Sequence, residues 1–136
     1  MATRFTEATW PKDRWPNFSF SELACRETGE CVVDEVLVDC LQRLRDKVGP
    51  VTVTSGYRSS AHSVERAKKR PGTHAMGLAV DVACAGKEAF AVLQTALDVG
   101  FTGIGVSQKG ENRFLHLDIV THLDDFPATR PSVWSY

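Results

Sequence analysis

Three short stretches of this 136-residue chain carry residues whose types and spacing suit metal chemistry. In Leu78-Ala79-Val80-Asp81-Val82-Ala83-Cys84 the bulky residues Leu78, Val80 and Val82 fall on one face of an extended strand, and Asp81 points the other way between two alanines. In Phe114-Leu115-His116-Leu117-Asp118-Ile119, Leu115, Leu117 and Ile119 share a face, and His116 and Asp118 point away from it. His74 lies upstream of the first strand in a loop, Gly72-Thr73-His74-Ala75-Met76-Gly77, that could fold its imidazole back over a sheet. Two histidines and a carboxylate with a fourth position left for water are a usual catalytic zinc set. A structural zinc would instead be closed by four ligands, usually including cysteine. Spacing alone leaves a second reading open, in which these are hydrogen-bonded polar residues on a sheet surface.

The elements that must position these residues follow from periodicity. Ser19-Phe20-Ser21-Glu22 fits a capping box and opens a short helix. Residues 34–48 read as a helix with Val36, Leu37, Cys40, Leu41, Leu44 and Val48 inward, stopped by Gly49-Pro50. Val51 to Thr54 alternates as a half-buried strand, and Ser55-Gly56 breaks it, leaving Tyr57 and Arg58 in a loop. Residues 60–70 suggest one short polar helix. Lys87–Val99 suggests a longer one with Phe90, Leu93 and Leu97 inward, closed by Gly100. Leu78–Cys84, Ile104 with Val106, and Phe114–Ile119 are strand candidates, and residues 1–18 read as an irregular arm laid over the core. The expected fold class is α+β: a small central, mostly antiparallel sheet with helices packed on one face, in a single domain spanning 1–136.

Bulk properties narrow the function. At 43% hydrophobic residues the chain can bury one core without staples. Its formal charge of −1 carries no nucleic-acid footprint. No stretch approaches the ~18 apolar residues of a membrane span. The start, Met1 to Glu7, lacks the apolar run of a signal peptide, so synthesis in a cytoplasm is expected. Four cysteines, Cys25, Cys31, Cys40 and Cys84, are therefore expected as reduced thiols, and the Cys25/Cys31 spacing matches no strong zinc signature.

Ser55-Gly56-Tyr57-Arg58-Ser59, the pattern His74-x-x-Gly77-x-Ala79-x-Asp81, and Phe114-Leu115-His116-Leu117-Asp118 together resemble the three signatures of the M15 zinc peptidases. That family includes D-Ala-D-Ala carboxypeptidases and phage endolysins that cut peptidoglycan. The resemblance implies the sheet fold shared with the hedgehog signalling domain, with one Zn2+ per chain held by His74, Asp81 and His116. It further implies Arg58 facing the substrate, where a guanidinium suits a carbonyl, an oxyanion or a carboxylate. The implied substrate is the peptide stem or cross-link of peptidoglycan, met by a monomer made in the cytoplasm, phage-encoded or not, and acting on the wall.

The chain departs from the family pattern where many relatives carry an acidic residue or a histidine shortly before the last ligand; here Arg113 and Phe114 stand there. Asp118 and Glu111 remain as candidate bases. Asp118 shares the His116 face and is the preferred of the two, although i+2 along a strand is ~6.5 Å away, a spacing that also suits a residue that only orients a ligand from behind, and Glu111 would have to swing inward from its loop. His62, near Arg58, is a candidate for the cleft, or for a helix cap. Arg66, Lys68, Lys69 and Arg70 form a basic run that reads as a solvated face or as a surface for an anionic wall. Trp134 and Tyr136 suit a substrate platform or docking to the core. Two other functions fit the same fold: a non-enzymatic binding module and a phage virion component.

Overall fold

A computed structural model describes all residues, Met1–Tyr136. Two sheets and four helices make an α+β fold. Strands β1 (Ala2–Phe5) and β2 (Cys31–Asp34) pair antiparallel. The main sheet has five strands in the order β3-β4-β6-β5-β7, from β3 (Thr52–Ser55), β4 (Ala79–Ala83), β5 (Gly103–Ser107), β6 (Phe114–Asp118) and β7 (Ser132–Ser135). All pairs are antiparallel except β5 with β7, which makes the sheet mixed.

Helix α1 (Phe20–Leu23) starts at the expected capping box, in which Ser19 accepts from the Glu22 amide and Glu22 accepts from the Ser19 amide. Helix α2 (Glu35–Val48) is capped by Asp34, whose side chain accepts from the Val36 amide, and ends at Gly49. The expected helix over 60–70 is a single turn, α3 (Ser63–Arg66), capped at its start by His62. Helix α4 (Gly86–Val99) ends at the left-handed Gly100.

Val80, Val82, Leu115, Leu117 and Ile104 join α2 and α4 in one core of buried side chains. This is the alternation read from the sequence, with Asp81, His116 and Asp118 on the opposite face. Two helix faces differ from expectation. Val36 is exposed on α2. On α4, Phe90 is 71% and Leu97 59% exposed, Leu93 is half-buried, and Ala89, Val92, Ala96 and Val99 are the buried set. Small residues there allow α4 to approach α2 and the sheet closely, so the stripe of small side chains is the inward one.

The N-terminal stretch expected to be irregular opens with a strand, and its turns carry aromatic core. Phe5 packs edge to face on Trp10 and Trp15, which are tilted against each other, with ring centroids 4.9–5.6 Å apart. The tail is likewise a strand, β7, paired parallel to β5.

Candidate metal centre

Register brings the donors together. Asp81 on β4 is the direct partner of His116 on β6, two neighbouring interior strands. Loop geometry supplies His74. The chain leaving β3 passes so close to α1 that a Cβ on Gly56 would lie 2.6 Å from the Leu23 carbonyl oxygen, which only glycine avoids. The Gly56 carbonyl then accepts from His74 Nδ1 at 2.8 Å.

His74 Nε2 stands 3.2 Å, and His116 Nδ1 3.3 Å, from the same oxygen, Asp81 Oδ1. The three residues are buried, and one ligand atom from each lies within 4.8 Å of the others. A tetrahedral zinc site with bonds near 2.0–2.1 Å has ligand–ligand edges of about 3.3 Å, which the two histidine–Asp81 distances match.

The proton positions fit it too. A carbonyl oxygen has no proton to give, so His74 Nδ1 carries the hydrogen and Nε2 offers a lone pair. His116 Nε2 lies 2.8 Å from Asp118 Oδ2 and donates to it, leaving Nδ1 a lone pair. In the neutral imidazoles two lone pairs and a carboxylate thus converge on one point, a set that a metal ion or protons can complete. Burial raises the Asp81 carboxyl, but hydrogen bonds to His116 and His74 outweigh it and hold the group far below the usual carboxylate range. Burial lowers the His116 imidazole, but hydrogen bonds to Asp118 and Asp81 raise it overall. In the metal-free chain protons on the imidazoles make these bonds to Asp81, and they are the protons that a bound metal ion would displace.

Asp118 does not face the cleft. It is 0% exposed, and Arg130 grips both its oxygens, Nε on Oδ1 at 3.0 Å and Nη2 on Oδ2 at 2.8 Å. The Val120 amide also donates to Oδ1. Arg130 was not legible as a site residue. The one signal for it is Gly103-x-Gly105 on β5, whose residues pair with Asp118 and His116. A Cβ on Gly103 would strike Asp118 and the Arg130 guanidinium, and one on Gly105 would lie 2.7 Å from Trp134 Nε1. Trp134 in turn lies over His116, ring centroids 5.2 Å apart, under the Arg130 guanidinium.

The donors open on a cleft of about 370 Å³. One wall carries Arg58, whose Nη2 is 3.7 Å from Asp81 Oδ2, and Lys68. The other is aromatic, with Phe114, Phe126, Trp134 and Tyr136. His62 lies outside this lining; it caps α3 by accepting from the Val64 amide and faces Glu27 at 3.1 Å. Glu111 is exposed in the β5–β6 loop and is not part of the lining either. The four cysteines are free and buried, and none joins the donor group. A larger, apolar hollow of about 540 Å³ between α2 and α4 holds no histidine or cysteine and lies apart from the donors.

The family model described as Peptidase M15 matches residues 16–118, well over half of the chain. The chain therefore belongs to the M15 peptidase family. The match covers Arg58 and all three donors and ends before Arg130 and Trp134. No curated protein shows a sequence match to this chain. Membership of a peptidase family and a buried His/Asp/His group able to hold a metal together point to a metallopeptidase. No helix is long and apolar enough to cross a membrane.

Proposed function

We propose that this chain is a zinc metallopeptidase that hydrolyses peptide bonds in the stems or cross-links of bacterial peptidoglycan, as an endolysin or a D,D-carboxypeptidase does. The observation that carries the reading is the convergence of His74 Nε2 and His116 Nδ1 on Asp81 Oδ1, at 3.2 and 3.3 Å, in a cleft that Arg58 overlooks. A zinc ion bound by these donors supplies Lewis acidity toward a carbonyl oxygen and toward water.

The chain's own residues do the rest. Gly56 and Asp118 fix the tautomers of His74 and His116, so each presents an unprotonated nitrogen. Arg58 steadies the scissile carbonyl oxygen or a substrate carboxylate. The aromatic wall packs the peptide and keeps bulk water from the reacting bond. Asp118 acts through His116, as a positioning group held by Arg130, because both its oxygens are engaged away from the substrate.

A second reading, a non-enzymatic wall-binding module, is favoured by one observation: Asp81, itself a donor, is the only carboxylate in the cleft lining. Mass spectrometry of muropeptides released from purified peptidoglycan, comparing wild type with His116→Ala, separates the two. New stem fragments made by wild type alone support the peptidase, and their masses identify the bond. Release by neither protein, with zinc still bound by wild type, favours the binding module.

A further inference from the structure

Beside the cleft lies a second hollow, of about 330 Å³, lined by Arg66, Lys68, Lys69 and Arg70. Lys68 lines both hollows, so its side chain stands on the rim between them. Arg66, Lys69 and Arg70 are exposed, and none has an acidic group within ion-pair distance, in a chain whose formal charge is only −1. The one carboxylate in the lining, Glu65, is committed. It is 6% exposed, its Oε1 accepts from the Gly72 amide at 3.0 Å, and its Oε2 lies 2.5 Å from Lys68 Nζ. Glu65 thereby fixes Lys68 at the shared rim and leaves the other three cations uncompensated. Like charges gathered in a concave surface repel one another and focus a positive potential that an anion relieves.

We propose that this basic hollow docks the free carboxylates of a polymeric substrate while a peptide bond of the same polymer lies at His74, Asp81 and His116. The polymer's identity rests on the peptidase reading above, since peptidoglycan stems carry free carboxylates close to their cleavable bonds. The lining chemistry favours such groups over the alternatives. No aromatic side chain lines the hollow, so it offers no stacking surface for nucleic-acid bases or for a sugar face.

The test compares wild type with the triple variant Arg66→Gln/Lys69→Gln/Arg70→Gln, which leaves Lys68 and every cleft residue in place. Metal-free protein is sedimented with peptidoglycan stripped of phosphate polymers, at low salt and at about 0.3 M salt. We expect wild type to bind about tenfold more weakly at the higher salt, and the triple variant to bind weakly at both. Loaded with zinc, the two should cleave a short neutral peptide at equal rates. Equal binding by the two proteins, with equal salt dependence, would overturn the proposal. Binding of wild type to polyphosphate but not to the stripped peptidoglycan would overturn the assignment to carboxylates. The expected binding difference with no cleavage of any peptide by either protein would support docking and sink the peptidase reading alone.

Discussion

Asp81 sits between two imidazoles, and each imidazole is held in its orientation from behind. For His74 the holder is a backbone carbonyl; for His116 it is Asp118, itself gripped by Arg130. Asp118→Asn should therefore do two separable things. Losing the charged acceptor behind His116 should weaken zinc about 10- to 100-fold, read by competition with a chromogenic chelator. Leaving the Arg130 guanidinium buried without its partner should cost about 3 kcal/mol, read by urea unfolding of the metal-free protein. A zinc affinity within a factor of two of wild type would show that His116 needs no such support. The donors were legible because strand alternation marks a polar residue on a polar face, and the signatures of a resembling family fall on the same residues. Arg130 was not. Its partner lies twelve residues back across an irregular segment, and no period links the two.

At the scale of elements, the sheet was easier to read than the helices. Alternation of period two has one inward face, and β4 and β6 follow it residue by residue. Helix α4 offers two candidate stripes, one of large apolar residues and one of small, and packing distance rather than hydrophobicity selects between them. Residue volume cannot reveal that selection until the neighbouring helix is in place. The consequence is measurable in a pair of truncations. Leu44→Ala, at a fully buried α2 position, should destabilise by 2–5 kcal/mol. Leu97→Ala, on the exposed side of α4, should stay within about 0.5 kcal/mol. Chemical denaturation of both decides it, and comparable losses would mean that α4 packs with its large residues inward.

For the molecule as a whole, two long-range ties bear on stability. One is the proposed metal centre, which would join the loop before β4 to strands β4 and β6. Removal of zinc with a chelator should lower the melting temperature, and readdition at a hundredfold excess over the dissociation constant should restore about 2.7 kcal/mol. Scanning calorimetry across a zinc series tests this; a midpoint indifferent to zinc would contradict the site. The other tie clamps the N-terminal segment to α2. Arg14 grips Asp39 through Nε at 3.0 Å and Nη2 at 2.7 Å, and Trp15 Nε1 donates to the same carboxylate at 2.9 Å. Burial raises the Asp39 carboxyl, but these hydrogen bonds outweigh it and hold the group below its ordinary 3.8. A depressed carboxylate contributes stability that is present above its unfolded value and lost as pH falls through the folded one. The clamp should hold at pH 5 and release below about 3.8, with a change in tryptophan emission that Asp39→Asn abolishes. A wild-type emission profile unchanged by that substitution would count against the clamp.

The order β4-β6-β5 leaves the two donor strands hydrogen-bonded along both edges, whereas Arg58 and Lys68 hang from the loop around one-turn α3. The two sides of the cleft therefore belong to different timescales. Strand amides of this kind exchange with solvent only on deep opening of the fold, and loop amides exchange through local fluctuation. On the proposed reading, the Arg58 and Lys68 side of the cleft could release and regrip a substrate many times while Asp81 and His116 stay paired across β4 and β6.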